Sequence, residues 1–208
     1  ESYIGSDVPA ILKYTRDVYY IGNQEMARVR KGEITFYNLD GDEIEKELKT
    51  VEWDAEAAEK AGYEHFMIKE IHEQPKAVSD TLNSVVKDGA IDLSEVGLSE
   101  EEIKEISQIY IVACGSAYHV GVAAQYVMED LARIPVRVEL ASEFRYRNPI
   151  LDPKGLVIII SQSGETADSL AALREAKSKG VRTLGIVNVI GSSIAREADN
   201  VFYTLAGP

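Results

Sequence analysis

From Ile109 onward, short runs of Val, Ile and Leu alternate with longer amphipathic stretches. IYIVA, VRVEL, LVIII, VRTLGIV and VFYTL read as strands, and VGVAAQYVMEDLARI, ADSLAALREAKSKG and SSIAREA read as helices. Apolar runs without strict alternation belong to strands covered on both faces. Alternation of strand and helix implies right-handed crossovers and parallel pairing. The pattern predicts an α/β fold, a doubly wound parallel sheet of about five strands flanked by helices.

Upstream the chain is organised differently. Asp17 to Asn38 is rich in Tyr, Ile, Val and Thr and is followed by the turn signal Asp40-Gly41, which predicts short strands joined by tight turns. Ser6 and Asp7 ahead of Pro9 predict a short capped helix running toward Tyr14. These first fifty residues carry too little apolar mass for a complete core, so they read as the β-rich remainder of a domain that begins earlier. Between Val51 and Leu82, Glu, Ala and Lys prevail, the pattern of an exposed or amphipathic helix. Pro75 is expected to open a helix as its first residue, and Trp53, the only tryptophan, to anchor the linker. Ser99 with Glu102 three residues later has capping-box spacing. The expected division is 1–50, 51–84 and 85–208.

In a doubly wound sheet, ligands bind beyond the carboxyl ends of the strands, where strand order reverses. Two segments there have unusual chemistry: Cys114-Gly115-Ser116-Ala117-Tyr118-His119 after the first strand, and Ser161-Gln162-Ser163-Gly164-Glu165-Thr166 after LVIII. Both lead into helices. A helix start exposes N–H groups without intrahelical partners and carries roughly +0.5 of an elementary charge. Ser161, Ser163 and Thr166 add hydroxyl donors, and Gly164 admits close backbone approach, so the turn suits a phosphate without any lysine. Ordinary capping would also explain a hydroxyl here, but one cap needs only one. Glu165 must point away from any phosphate; otherwise it serves as a favourable first-turn charge.

Other arrangements carry less. Cys114 and His119 form a nucleophile and base only if the fold brings them together; the alternative is an inert, packed cysteine. Neither segment has the three spaced glycines of a dinucleotide site or the Gly-Lys-Ser/Thr ending of a P-loop, so no cofactor is expected. His65 and His72 lack the further ligands a metal needs and read as a solvated helix face. Thirty-five acidic residues against 22 basic ones give a formal charge of −13, which repels nucleic acid and anionic membrane surfaces. No apolar run is long enough to span a bilayer, and ESYIGSDVPA has no secretory pattern. A single cysteine precludes an intrachain disulfide and fits a reducing compartment, so the cytoplasm is the expected location.

The ACGSAYH and SQSGET segments together resemble the sugar isomerase (SIS) domain. KEIHEQPKAVSDTL is similar to the opening of the isomerase half of the glucosamine-6-phosphate synthase family, and SDVPAILKYTRDVYYIGNQEMARV to the end of that family's glutaminase domain. The resemblance implies an enzyme that releases ammonia from glutamine and uses it to convert fructose 6-phosphate into glucosamine 6-phosphate. It implies that Ser161, Gln162, Ser163 and Thr166 hold the sugar phosphate, with Ser116 beside the sugar, and that the SIS half forms a homodimer. The family's first segment is usually Cys-Gly-Thr-Ser-Tyr-His, so Ala117 lacks one expected hydroxyl. The family's glutaminase nucleophile is an amino-terminal cysteine and its catalytic acid/base residues lie in a second SIS domain, whereas this chain starts at Glu1 and has only Cys114. No catalytic residue and no metal ligand is therefore expected among these 208 residues, which read as a catalytically silent fragment that binds fructose 6-phosphate or a related hexose phosphate. Two alternatives remain: a non-catalytic SIS module that senses a phosphosugar for regulation, and a nucleotide-binding α/β domain.

Overall fold

The computed structural model describes residues 2–5, 8, 10–51 and 60–207. They fall into two compact units that divide between Glu70 and Ile71. Trp53 and the residues around it lie outside the described part, as do Ser6, Asp7 and Pro9.

The first unit contains β1 (Asp17–Val18), β2 (Met26–Arg30), β3 (Glu33–Tyr37), β4 (Glu43–Ile44) and β5 (Lys49–Thr50). β2, β3 and β4 form an antiparallel sheet, and β1 pairs antiparallel with β5. The short strands expected here are present. The expected helix toward Tyr14 is not: residues 10–14 are successive turns in which the Ile11 and Leu12 N–H groups both donate to the Val8 carbonyl. Thr15 Oγ1 accepts the Asp17 N–H at 3.1 Å, and this local side-chain bond competes with helix continuation.

α1 spans Phe66–Val85 and holds Pro75 in its interior, which corrects the expectation that Pro75 starts a helix. A proline there deletes one backbone donor, but the residues on both sides supply enough helical turns for the element to continue through it. The hairpin of β6 (Val86–Lys87) and β7 (Ala90–Ile91) follows, turning through Asp88 and Gly89, both left-handed at φ 52° and 77°. α2 (Glu100–Glu105) begins at Ser99, whose side chain accepts the Glu102 N–H while Glu102 accepts the Ser99 N–H, the capping box its spacing predicts.

The second unit is built on five parallel strands: β8 (Ile109–Ala113), β9 (Val136–Leu140), β10 (Leu156–Ser161), β11 (Arg182–Val187) and β12 (Asn200–Tyr203). Their spatial order is β12-β11-β10-β8-β9. α3 (Gly115–Ala132), α4 (Ala141–Tyr146), α5 (Ala167–Ser178) and α6 (Ser193–Glu197) connect them. Alternate strand residues feed two cores. Tyr110, Val112, Val157 and Ile159 join Phe144, Ala172 and Leu173 on the face of α4 and α5. Ile109, Ile111, Leu156 and Ile158 join Ala124 and Met128 of α3 on the other face. A sheet buried on both sides accounts for the continuous apolar runs in the sequence.

Chain order runs outward from β8 to β9, then returns past β8 to β10 and proceeds to β11 and β12. The reversal therefore lies between β8 and β10, which pair in register from Ile109 with Leu156 to Ala113 with Ile160. The crevice at their carboxyl ends is the place such a sheet offers a ligand.

Candidate functional site

Both sequence-marked segments flank that crevice. After β8, only Cys114 separates strand from helix, because α3 already begins at Gly115; the helix starts five residues before the apolar pattern that announced it. Gly115 sits at φ +55°, a left-handed value that lets the chain turn sharply. Ser116 is exposed in the first turn of α3 and makes no hydrogen bond to the other candidate residues among the described residues.

After β10, Ser161 is buried and Ser163 and Thr166 are half-buried. Ser161 Oγ accepts the Gly164 N–H at 3.1 Å and lies 3.1 Å from Thr166 Oγ1. One hydroxyl proton bridges that pair, which leaves the other free. Ser163 Oγ accepts the Glu165 N–H at 3.2 Å and keeps its own proton to donate. Gln162 is exposed, and its carbonyl accepts the Asn188 N–H at 3.0 Å. Thr166 is the N-cap of α5 but makes no side-chain cap bond, so the N–H groups of Ala167, Asp168 and Ser169 have no partner among the described residues. Hydroxyl protons and open amides thus lie within one turn, at the end of α5 where the helix dipole is positive.

Charge is arranged around these donors. Glu165 turns away from them: its Oε1 accepts the Ser193 N–H at 2.6 Å, at the start of α6. Asp168, in the first turn of α5, is paired with Arg145 of α4 at 2.7 Å. Both carboxylates near the turn are therefore engaged. Gly164, expected to admit a ligand, has a different structural reason. A Cβ at its position would lie 2.0 Å from Ser192 Oγ, so the missing side chain makes room for Ser192, and its φ of +65° also favours glycine.

Cys114 and His119 do not form a pair. The Cys114 thiol receives a hydrogen bond from Ser169 Oγ at 3.7 Å and packs against the core, while the His119 ring meets Tyr118 edge-on. Exposed His65 lies 3.6 Å from Glu64. Among the described residues, no group of three or more His, Cys, Asp and Glu is placed to hold a metal ion, and no helix is long and apolar enough to cross a membrane. Residues not singled out from sequence are Asn188 and Ser192, which brace the turn from the loop after β11. The polar cluster after VRTLGIV was their available signal.

A family model for the SIS domain matches residues 102–208, just over half of the chain. The chain belongs to the SIS-domain family. Across 209 aligned positions it is 57% identical to glutamine–fructose-6-phosphate aminotransferase (isomerizing) of Caldanaerobacter subterraneus subsp. tengcongensis, covering all of this chain and 34% of that protein. The protein of the same name in Clostridium acetobutylicum is also 57% identical, with the same 34% covered. The chain thus spans about a third of the length of these relatives. In the solved C-terminal domain of glucosamine-fructose-6-phosphate aminotransferase from Francisella tularensis, the match covers 72% of this chain and 43% of that one, with 44% identity and a TM-score of 0.67. The five-stranded parallel sheet is the SIS domain's own architecture in this chain.

Proposed function

We propose that this SIS domain binds the phosphate of a hexose phosphate at the turn between β10 and α5. Ser161, Gln162, Ser163 and Thr166 surround the phosphate, and Ser116 lies toward the sugar. The observation that carries this reading is the set of open donors at the switch point: the Ser163 hydroxyl, one proton of the Ser161 and Thr166 pair, and three α5 amides. The parent protein makes glucosamine 6-phosphate from fructose 6-phosphate and glutamine, a reading supported by relatives of that name matching over the whole chain. Residues 1–50 are the end of its glutaminase domain, 51–84 a linker and the opening of the isomerase half, and 85–208 the SIS domain. These 208 residues alone are catalytically silent. The protein works in the cytoplasm as a homodimer through its SIS half.

Calorimetric titration with fructose 6-phosphate, NAD and ATP tests the site. Heat from the sugar phosphate alone is the expected result, and heat from a nucleotide alone would refute it. Ser163→Ala should weaken sugar-phosphate binding by about 1.5–3 kcal/mol, the worth of a hydrogen bond to a charged oxygen. A lowered melting temperature with unchanged affinity would reduce Ser163 to a local turn residue. Steady production of glucosamine 6-phosphate by the purified chain would overturn its catalytic silence.

A further inference from the structure

Asn188, the first residue after β11, makes four hydrogen bonds, one toward the site and three away from it. Its N–H donates to the Gln162 carbonyl at 3.0 Å. Its side-chain Oδ1 accepts the Thr204 hydroxyl at 3.1 Å and the Ala206 N–H at 2.7 Å, and its Nδ2 donates to the Gly207 carbonyl at 2.6 Å. The segment it holds, Thr204 to Gly207, follows the edge strand β12 and is otherwise tied down by the Thr204 N–H to Val187 and by Thr81 of α1, whose hydroxyl donates to the Thr204 carbonyl.

The bond to Gln162 has a directional consequence. A trans peptide points its C=O and N–H in opposite directions. With the Gln162 carbonyl turned toward β11, the Ser163 N–H is turned to the other side, that of β8 and the crevice. A shift of Asn188 therefore rotates a peptide within the binding turn. Because the Asn188 side chain is fixed only by Thr204, Ala206 and Gly207 among the described residues, the placement of that segment sets where Asn188 sits.

We propose that Asn188 is a positioning residue that couples the segment Thr204 to Gly207 to the Ser161 to Thr166 turn. As a statement about affinity it rests on the sugar-phosphate reading above; as a statement about the turn it does not. Thr204→Val removes the hydroxyl donated to Asn188 and touches none of the candidate binding residues. In the unliganded whole protein this variant should speed amide hydrogen exchange at Gly164 and Glu165. It should also weaken fructose 6-phosphate binding by about three- to tenfold, the range for one lost hydrogen bond. Thr204→Ser, which keeps the hydroxyl, should restore both. In an Asn188→Ala background, Thr204→Val should add nothing to either measurement.

Unchanged exchange at Gly164 and Glu165 in Thr204→Val overturns the coupling, even if the wild type binds fructose 6-phosphate. An equal Thr204→Val effect with and without Asn188 overturns it too, since Thr204 would then act by another route. A wild type that binds no sugar phosphate while the background-dependent exchange persists removes the functional reading and supports the coupling.

Discussion

Gly164 lacks a side chain because Ser192 occupies the space one would need. Ser192 is buried, and its Oγ has no hydrogen-bond partner among the described residues, so it contributes shape rather than polarity. Gly164→Ala would force a Cβ to within 2.5 Å of Ser192 Cβ and hold an L-residue at φ +65°. The left-handed backbone costs about 1–2 kcal/mol and the overpacking about 1–3 kcal/mol, so urea unfolding should show a loss of about 2–5 kcal/mol. Adding Ser192→Gly clears the contact and should return the packing share, leaving the backbone share. Ser192 makes no side-chain cap bond to α6, so that second change removes no helix cap. A Gly164→Ala variant as stable as the wild type would mean that the turn relaxes freely, which would also undermine the proposal of a preformed anion site there.

At the scale of elements, α2 shows how a legible sequence signal acquires a tertiary partner. Ser99 and Glu102 were readable as a capping box from spacing alone, but the ion pair between Glu102 and Arg182 of β11 spans 80 residues and was not. The Ser99 N–H, and after it Arg182, hold the Glu102 carboxyl below its ordinary value of 4.5. A carboxyl lowered in the folded state stabilises fully above that ordinary value and loses its contribution as pH falls through the folded one. The melting temperature of the wild type should therefore drop as pH falls below about 4.5, and Glu102→Gln, which keeps an acceptor but no titrating charge, should drop less over the same window. Equal drops would show that the Ser99 and Arg182 contacts do not persist in solution. The same division between local and distant information runs through the fold. β8 and β10 were legible because burial on both faces leaves an unbroken apolar run. α4 was not, because six residues with only Ala141 and Phe144 buried are too short to show a period. Asp88-Gly89 did carry a hairpin signal in sequence, but its strands are two residues each and lack an apolar pattern. In the turn between β10 and α5, the hydroxyl residues were legible by type, whereas the internal use of Ser161 and the packing of Ser192 on Gly164 arise from contacts that no local pattern encodes.

For the molecule as a whole, the homodimer proposed above must form against its own charge. Each copy of this chain has a formal charge of −13, and two such copies repel at long range. α3 presents an apolar outer face that such a dimer would have available to bury: while Gly121, Ala124 and Met128 pack toward the sheet, Val120, Val127 and Leu131 lie along the outer face and are more than half exposed. Burial of apolar surface is almost indifferent to moderate salt, whereas repulsion between net charges is screened over about 30 Å at 0.01 M and about 8 Å at 0.15 M ionic strength. Raising the salt across that range should therefore tighten the dimer, lowering its dissociation constant several-fold in sedimentation equilibrium. A dimer that instead loosens with salt would be held mainly by ion pairs across the interface, and the apolar face of α3 would have no part in it. A whole protein that stays monomeric at both ionic strengths would remove the homodimer itself.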